Sequence, residues 1–141
     1  MTDQTSFLVL PPIMELAYDS HESLKEVLKE NGTTDTTGVC LFACILVCEF
    51  AYRRGMVAVI RGGNGSDDGG IFNENGGHGH YWCELSAGGM TFYIDISAEQ
   101  FGYPSFIVKN VNDVSGWPQY IPGHQATVDE HMKLAFTEGF Q

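Results

Sequence analysis

The stretch that decides the fold is Gly-Val-Cys-Leu-Phe-Ala-Cys-Ile-Leu-Val-Cys-Glu-Phe-Ala-Tyr-Arg-Arg-Gly, residues 38–55. Its apolar side chains fall on nearly every face of a helix, and such a helix belongs in the centre of a domain. Thr37 before it is a good N-cap, and Gly55 is a good C-terminal stop. We therefore predict a buried helix that runs from Thr37 to about Arg54 and holds its first turn rigidly.

Four cysteines lie at positions 40, 44, 48 and 83, and the first three fall at i, i+4 and i+8 of the predicted helix. Helical neighbours stand roughly 5–6 Å apart at Cβ, which suits disulfides poorly, and the spacing is not that of the usual zinc motifs. Cys44 and Cys48 are therefore interpreted as small core residues. Cys40 alone falls in the first turn, where free N–H groups and the positive dipole end favour a thiolate and can stabilise an oxyanion.

Hydrophobic patterning outside this helix indicates short strands and two further helices. Asp19 and Glu22 have the capping-box spacing, and Asn31-Gly32 can end the helix that they begin. The turn residues at 86–89 between two apolar stretches are typical of a β-hairpin. The predicted elements are a helix at 19–30, strands at 7–10 (ended by Pro11-Pro12), 56–60, 80–85, 91–96 and 105–108, a loop over 62–79 and a helix from Thr127 to Glu138. We expect one α+β domain over residues 1–141, in which the buried helix packs on a small antiparallel sheet.

His80 and Asp95 lie on the two strands of the predicted hairpin. Facing residues of an antiparallel pair are roughly 5 Å apart, so a histidine on one strand can hydrogen-bond an acid on the next. Asp95 stands among apolar residues, where an unpaired carboxylate is costly to bury. A nucleophilic cysteine needs a base, and the base needs an orienting group. If the first turn of the helix abuts the hairpin, Cys40, His80 and Asp95 can form such a triad.

Three motifs, in this order along the chain, resemble motifs of the transglutaminase-like superfamily. The first is Gly38-Val-Cys40-Leu-Phe-Ala43, followed by an apolar helix that ends at Arg54-Gly55. His80-Tyr-Trp82-Cys-Glu84 is similar to the His-x-Trp-x-Glu strand of that superfamily, and Tyr93-Ile-Asp95-Ile-Ser97 to its apolar-Asp-x-Thr strand. The resemblance covers residues 37–102, near half of the chain.

This resemblance implies a papain-like core with Cys40 as nucleophile, His80 as general base and acid, and Asp95 as the group that orients the imidazole. The implied activity is that of a cysteine-dependent amide hydrolase or acyltransferase, of the deamidase, peptidase or transglutaminase type. Its substrate is a protein or peptide amide, and its intermediate is an acyl-thioester. Because the superfamily also has members without catalysis, the alternative is an inactive acidic binding or inhibitor module.

The segment 62–79 is rich in glycine, asparagine and aspartate and runs directly into His80. We interpret it as a mobile lid, with Gly77, His78 and Trp82 as candidate residues of the substrate cleft or the lid. Its oxygen ligands admit calcium, which some transglutaminases need, although the spacing is not that of an EF-hand. A metal bound by the histidines at 78 and 80 with Cys83 or His124 is a further alternative. We expect no resident cofactor.

The 18 acidic and 7 basic residues give a formal net charge of −11. Such a surface repels phosphate backbones and anionic membranes, so neither nucleic acid nor membrane is an expected partner. The apolar stretches are too short to span a membrane, and the first residues lack the pattern of a secretory signal. Together with thiols that are expected to be reduced, these features predict a cytoplasmic protein.

Overall fold

The structure, a computed structural model, describes residues 10–32 and 39–138, and the chain there forms helices and antiparallel strands. The helices are α1 (Pro11–Glu30), α2 (Cys40–Arg53) and α3 (Gln125–Glu138), and a 3₁₀ turn covers Ala98–Phe101. The strands are β1 (Ala58–Gly63), β2 (Gly70–Asn73), β3 (Gly76–His78), β4 (His80–Ala87), β5 (Met90–Asp95), β6 (Ile107–Asn110) and β7 (Gln119–Ile121). The predicted α+β class is confirmed.

The strands form two antiparallel sheets. The main sheet has the order β1-β4-β5-β6, and the small sheet has the order β3-β2-β7. Helix α2 lies on one face of the main sheet against β1, β4 and β5, and α1 packs on α2. The small sheet contacts the main sheet through β2, which lies against β1 and β4.

Alternation along β4 and β5 divides the core in two. Cys83, Leu85 and Ile94 point toward the helices and belong to the larger apolar cluster. Trp82 and Tyr93 point the other way, into an aromatic cluster with residues of the small sheet. His80 lies two residues before Trp82, and Asp95 two after Tyr93, so both share the face that meets the small sheet.

Helix α1 begins eight residues before the predicted start. Pro11 and Pro12 open the helix, because a proline at the first helical position has no N–H that an intrahelical acceptor must satisfy. Asp19 is consequently not an N-cap but sits in mid-helix and pairs with Arg54. The end of the helix at Asn31 is as predicted. Of the predicted strand at 7–10, residues 7–9 lie outside the described residues.

Helix α2 begins at Cys40 itself, with Val39 in the cap position. The predicted N-cap Thr37 lies outside the described residues. Only one stripe of the helix is buried, consisting of Ala43, Cys44, Val47 and Ala51. The expectation of a helix buried all round is therefore wrong, because α1 and the main sheet cover the helix without enclosing it.

The β4–β5 hairpin is confirmed, with strands that extend to a two-residue turn. Gly88 and Gly89 both have positive φ angles, 59° and 78°. This is the requirement of a type I′ turn, whose twist matches that of the strands it joins.

The segment 62–79 is not a continuous loop, as the sequence had suggested. Strand β1 extends to Gly63, and β2 and β3 form a hairpin of the small sheet. A Cβ added at Gly63 would lie 2.2 Å from the backbone of Gly69, and one at Gly65 would lie 2.4 Å from the backbone of His78. The glycines are there because backbones pass too close for side chains.

The other predicted elements are shifted by a few residues. The strand at 56–60 is β1 at 58–63, and the strand at 105–108 is β6 at 107–110. Helix α3 begins at Gln125, so Thr127 is not its N-cap; its N–H is bonded to the carbonyl of His124 at 3.1 Å. None of the described helices is long and apolar enough to cross a membrane.

Candidate active site

His80 and Asp95 form a buried hydrogen-bonded pair. Nε2 of His80 lies 2.8 Å from Oδ2 of Asp95, and the two residues are 3% and 2% exposed. The pair spans the two central strands of the main sheet, at the end where β4 begins and β5 ends. The structure thus brings together two of the three residues selected from the sequence.

Asp95 accepts hydrogen bonds on both carboxylate oxygens. Its Oδ1 accepts from the backbone N–H of Ser97 at 3.0 Å and from the Ser97 hydroxyl at 3.3 Å. Its Oδ2 accepts from the Tyr120 hydroxyl at 2.9 Å, in addition to His80. Four donors therefore surround a carboxylate that has almost no contact with water.

These contacts decide the charge state of the pair. Burial by itself raises the pKa of Asp95, but His80, Ser97 and Tyr120 hold it below its usual value. Burial lowers the pKa of His80, whereas Asp95 and, to a smaller extent, Cys40 raise it to about 10. Near neutral pH the pair is therefore an imidazolium that faces a carboxylate.

Cys40 is a further neighbour of His80. Its half-buried thiol is close enough to raise the pKa of His80. Among the described residues, no group forms a hydrogen bond with Nδ1 of His80, which is nevertheless buried. Cys40 is therefore placed to interact with His80, through a contact that is loose in the absence of substrate.

The other three cysteines are protected thiols. Burial raises the pKa of Cys44 to about 11 and that of Cys83 well above its usual value. A hydrogen bond with Cys83, together with burial, raises the pKa of Cys48. These thiols stay protonated near neutral pH, in keeping with the interpretation of Cys44 and Cys48 as core residues.

Aromatic rings enclose the imidazole of His80. Trp82 stacks beside it, with ring centroids 6.4 Å apart, and Phe101 meets it edge-on at 5.0 Å. Trp82 is completely buried. It does not line an open cleft, as the sequence had suggested, because the rings of Tyr93 and Tyr120 cover its other sides.

Gly77 and His78 lie in β3, in an ordered hairpin and not in a loop. The His78 ring is exposed and stacks on Phe101, with centroids 5.2 Å apart. His78 is thus linked to His80 through the ring that contacts both. The interpretation of this segment as a mobile lid does not fit its strands and its close backbone packing.

Asp67 and Asp68, the aspartates of the segment 62–79 that was considered for calcium, have other partners in the structure. The Asp67 carboxylate accepts a hydrogen bond from Asn64, and that of Asp68 accepts from the backbone and ring of His124. His78 and His80 belong to different sheets. Within residues 10–32 and 39–138 there is no group of three His, Cys, Asp or Glu residues that could hold a metal ion.

A second buried histidine lies elsewhere, against α1. His21 is 6% exposed, and its Nε2 lies 3.2 Å from Oε1 of Glu99. The pair borders a cavity of about 630 Å³, whose lining includes Lys25 and Lys29. No cysteine occurs among the described residues that line this cavity, so the pair does not compete with His80 for a thiol.

Three residues of the site were not selected from the sequence. Ser97 had a local signal, because aspartate commonly accepts the N–H two residues further on. Phe101 lies at the end of the 3₁₀ turn, and its contact with the imidazole comes from packing between elements and has no local sequence signal. Tyr120 lies 25 residues after Asp95, in a segment rich in proline and glycine, and no local pattern places its hydroxyl.

Comparison of the chain with protein-family models, with curated proteins and with solved structures returned no match.

Proposed function

We propose that the chain is a cysteine-dependent amide hydrolase or acyltransferase that works through an acyl-thioester on Cys40. The observation that carries this proposal is the environment of His80. One nitrogen of its imidazole is fixed by a buried carboxylate, and the other is buried, unpaired and next to a half-buried thiol. That is the arrangement in which a histidine takes the proton of a nucleophile.

The first step is proton transfer and attack. The step uses the neutral form of His80, whose Nε2–H is donated to Asp95 and whose lone pair is on Nδ1. Nδ1 takes the proton of the Cys40 thiol, which restores the imidazolium that predominates near neutral pH. Asp95 stabilises the resulting imidazolium, which is why the pKa of His80 is raised. The sulfur then attacks the carbonyl carbon of an amide, and the electron pair of the C=O bond moves to the oxygen.

The second step collapses the tetrahedral intermediate. Cys40 is the first residue of α2, and the first N–H groups of an α-helix have no intrahelical acceptor, so they suit a developing oxyanion. The imidazolium of His80 returns its proton to the leaving nitrogen as the C–N bond breaks. Water or an amine then attacks the acyl-thioester while His80 takes its proton, and the C–S bond breaks as this proton returns to the Cys40 sulfur. Water gives an acid, and an amine gives a new amide.

The order of the secondary-structure elements along the chain supports the interpretation of the sequence as transglutaminase-like. A helix that begins at its cysteine precedes two adjacent antiparallel strands, which carry the histidine and the aspartate. The helix packs on the sheet formed by these strands. On this reading the substrate is a protein or peptide amide, and the net charge of −11 favours a neutral or cationic segment around it.

The proposal is tested by the rate at which iodoacetamide alkylates Cys40 near neutral pH. We expect one fast thiol in the wild type, its loss in Cys40→Ser, and its retention in Cys48→Ser, which removes a second half-buried thiol of the same helix. A Cys40 that reacts no faster than glutathione would remove the catalytic assignment and favour the inactive binding module.

The type of reaction requires candidate substrates. Incubation with peptides that contain glutamine or asparagine, followed by mass spectrometry, distinguishes conversion of amide to acid, loss of ammonia on crosslinking, and backbone cleavage. Cys40→Ala is the control and is expected to produce none of these products.

A further inference from the structure

The hydroxyl of Tyr120 contacts the site from the second sheet. It donates to Oδ2 of Asp95 at 2.9 Å, and the same oxygen lies 2.8 Å from Nε2 of His80. Tyr120 is 8% exposed, and burial together with Asp95 raises its pKa well above the usual value. The hydroxyl therefore keeps its proton and acts as a donor throughout the neutral range.

The position of this hydroxyl is fixed by the small sheet. Tyr120 is the central residue of β7 and pairs with Ile71 of β2. Its ring packs against Trp82 and Tyr93, with centroids 5.1 and 5.7 Å apart. A Cβ added at Gly69 would lie 2.2 Å from the carbonyl oxygen of Ile121, so the glycine-rich segment lies directly against β7.

We propose that Tyr120 is a positioning residue for the site: its hydroxyl fixes the Asp95 carboxylate in the orientation that receives His80. The inference rests on the proposed function, because it concerns the same three residues. Ser97 anchors one carboxylate oxygen and Tyr120 the other, so the carboxylate cannot rotate about its last bond. The imidazole that it binds is then aimed with Nδ1 toward Cys40.

The hydrogen bond from Tyr120 to Oδ2 of Asp95, which also contacts His80, influences the pKa of Asp95. A hydroxyl that donates to a buried carboxylate stabilises the charged form, and the effect is large where water is excluded. Removing the donor makes Asp95 more basic. The glycine-rich segment and the small sheet thus act on the site by placing a donor, in contrast to the lid that the sequence had suggested.

The substitution Tyr120→Phe keeps the ring and deletes the hydroxyl. The test compares the pH at the midpoint of the Asp95 titration, followed at its carboxyl carbon by ¹³C NMR, in this variant and in the wild type. Loss of a hydrogen bond to a charged group is expected to move the midpoint upward by about one pH unit or more, roughly a tenfold change in proton affinity. Tyr93→Phe is the matched control, since Tyr93 belongs to the same aromatic cluster, and its midpoint should stay at the wild-type value.

A second measurement uses a substitution that changes the Tyr120 side chain by one atom. Replacing Tyr120 by 3-fluorotyrosine retains the hydroxyl and makes it a stronger donor, so the Asp95 midpoint should move downward. An Asp95 midpoint that moves no more in Tyr120→Phe than in Tyr93→Phe would overturn the assignment.

The two proposals fail in different ways. An unshifted Asp95 in Tyr120→Phe, with fast alkylation of Cys40 in the wild type, removes the role of Tyr120 alone. A wild-type Cys40 that reacts like a free thiol removes the proposed function, whatever Asp95 does.

Discussion

Replacing Asp95 by asparagine perturbs the structure at its most polar buried point. The carboxylate accepts four hydrogen bonds, two on each oxygen. An asparagine side chain has one oxygen and one NH₂ group, so the NH₂ must face either the donors of Ser97 or those of His80 and Tyr120. In each orientation two donors point at each other, and buried donors are left without an acceptor.

The expected loss of stability is large. Breaking a buried ion pair by removing one partner typically costs about 3–5 kcal/mol, since the other charge is left uncompensated. His80 in the variant is buried without a counter-charge, and burial then lowers its pKa. We expect the free energy of unfolding of Asp95→Asn to be lower than that of the wild type by about that amount near pH 6.

The difference in the free energy of unfolding between the wild type and Asp95→Asn must depend on pH. The pKa of Asp95 is lowered from 3.8, so its contribution is present above about pH 4 and is lost as the pH falls. The pKa of His80 is raised from 6.5 to about 10, so its contribution is complete below about pH 6.5 and is lost as the pH rises toward 10. The wild-type advantage should therefore be greatest between these limits and decline on both sides, by at most about 1.4 kcal/mol per pH unit.

Urea unfolding of both proteins at a series of pH values measures this curve. Asp129→Asn, at an exposed acid on α3, is the control and should give a nearly constant small difference. A difference between wild type and Asp95→Asn that stays constant from about pH 4 to pH 10 would refute the charge assignment of the pair.

Two further substitutions test the packing around the site. Gly63→Ala places a Cβ 2.2 Å from backbone atoms and should lower the free energy of unfolding, measured in urea, by about 1–3 kcal/mol. At Gly79 the nearest atom to an added Cβ is 3.5 Å away, so Gly79→Ala should change this free energy by less than about 0.5 kcal/mol. Trp82→Ala should cost about 3–5 kcal/mol, because the side chain is fully buried, whereas Trp117→Ala, at 49% exposure, should cost less than about 1 kcal/mol. Equal losses within either pair would contradict the packing described.

The parts of the fold that depend on residues close together in the sequence could be predicted. Alternation and a Gly-Gly turn identified the β4–β5 hairpin, and the distance between facing strands suggested that His80 and Asp95 would meet. Cys40 was distinguished from the other cysteines by its place in the first turn, and it is the first residue of α2.

Two errors came from residues that have more than one use. The helix was predicted to begin at the capping box of Asp19, and Pro11 was taken only as a stop signal; but a proline also begins helices, and α1 starts there. The glycines of 62–79 were read as a sign of mobility, whereas here they allow β-strands and turns to pass at very short distances.

Contacts between distant segments could not be predicted. Tyr120 reaches Asp95 because β7 pairs with β2 and the small sheet packs on the main sheet, and neither pairing leaves a mark on the residues around Tyr120. The complete burial of Trp82 has the same origin, because the rings that cover it come from another strand of the main sheet and from the small sheet.

The central claim, an acyl-thioester on Cys40, is tested most directly by trapping it. The protein is mixed with a p-nitrophenyl ester of an N-acylated amino acid, quenched in acid and digested, and the peptides are weighed by mass spectrometry. We predict that the peptide containing Cys40 carries the acyl group, that hydroxylamine removes it, and that His80→Ala accumulates it far more slowly. Acylation of Cys40 at the same rate in wild type and His80→Ala, or no acylation of Cys40 at all, would contradict the account.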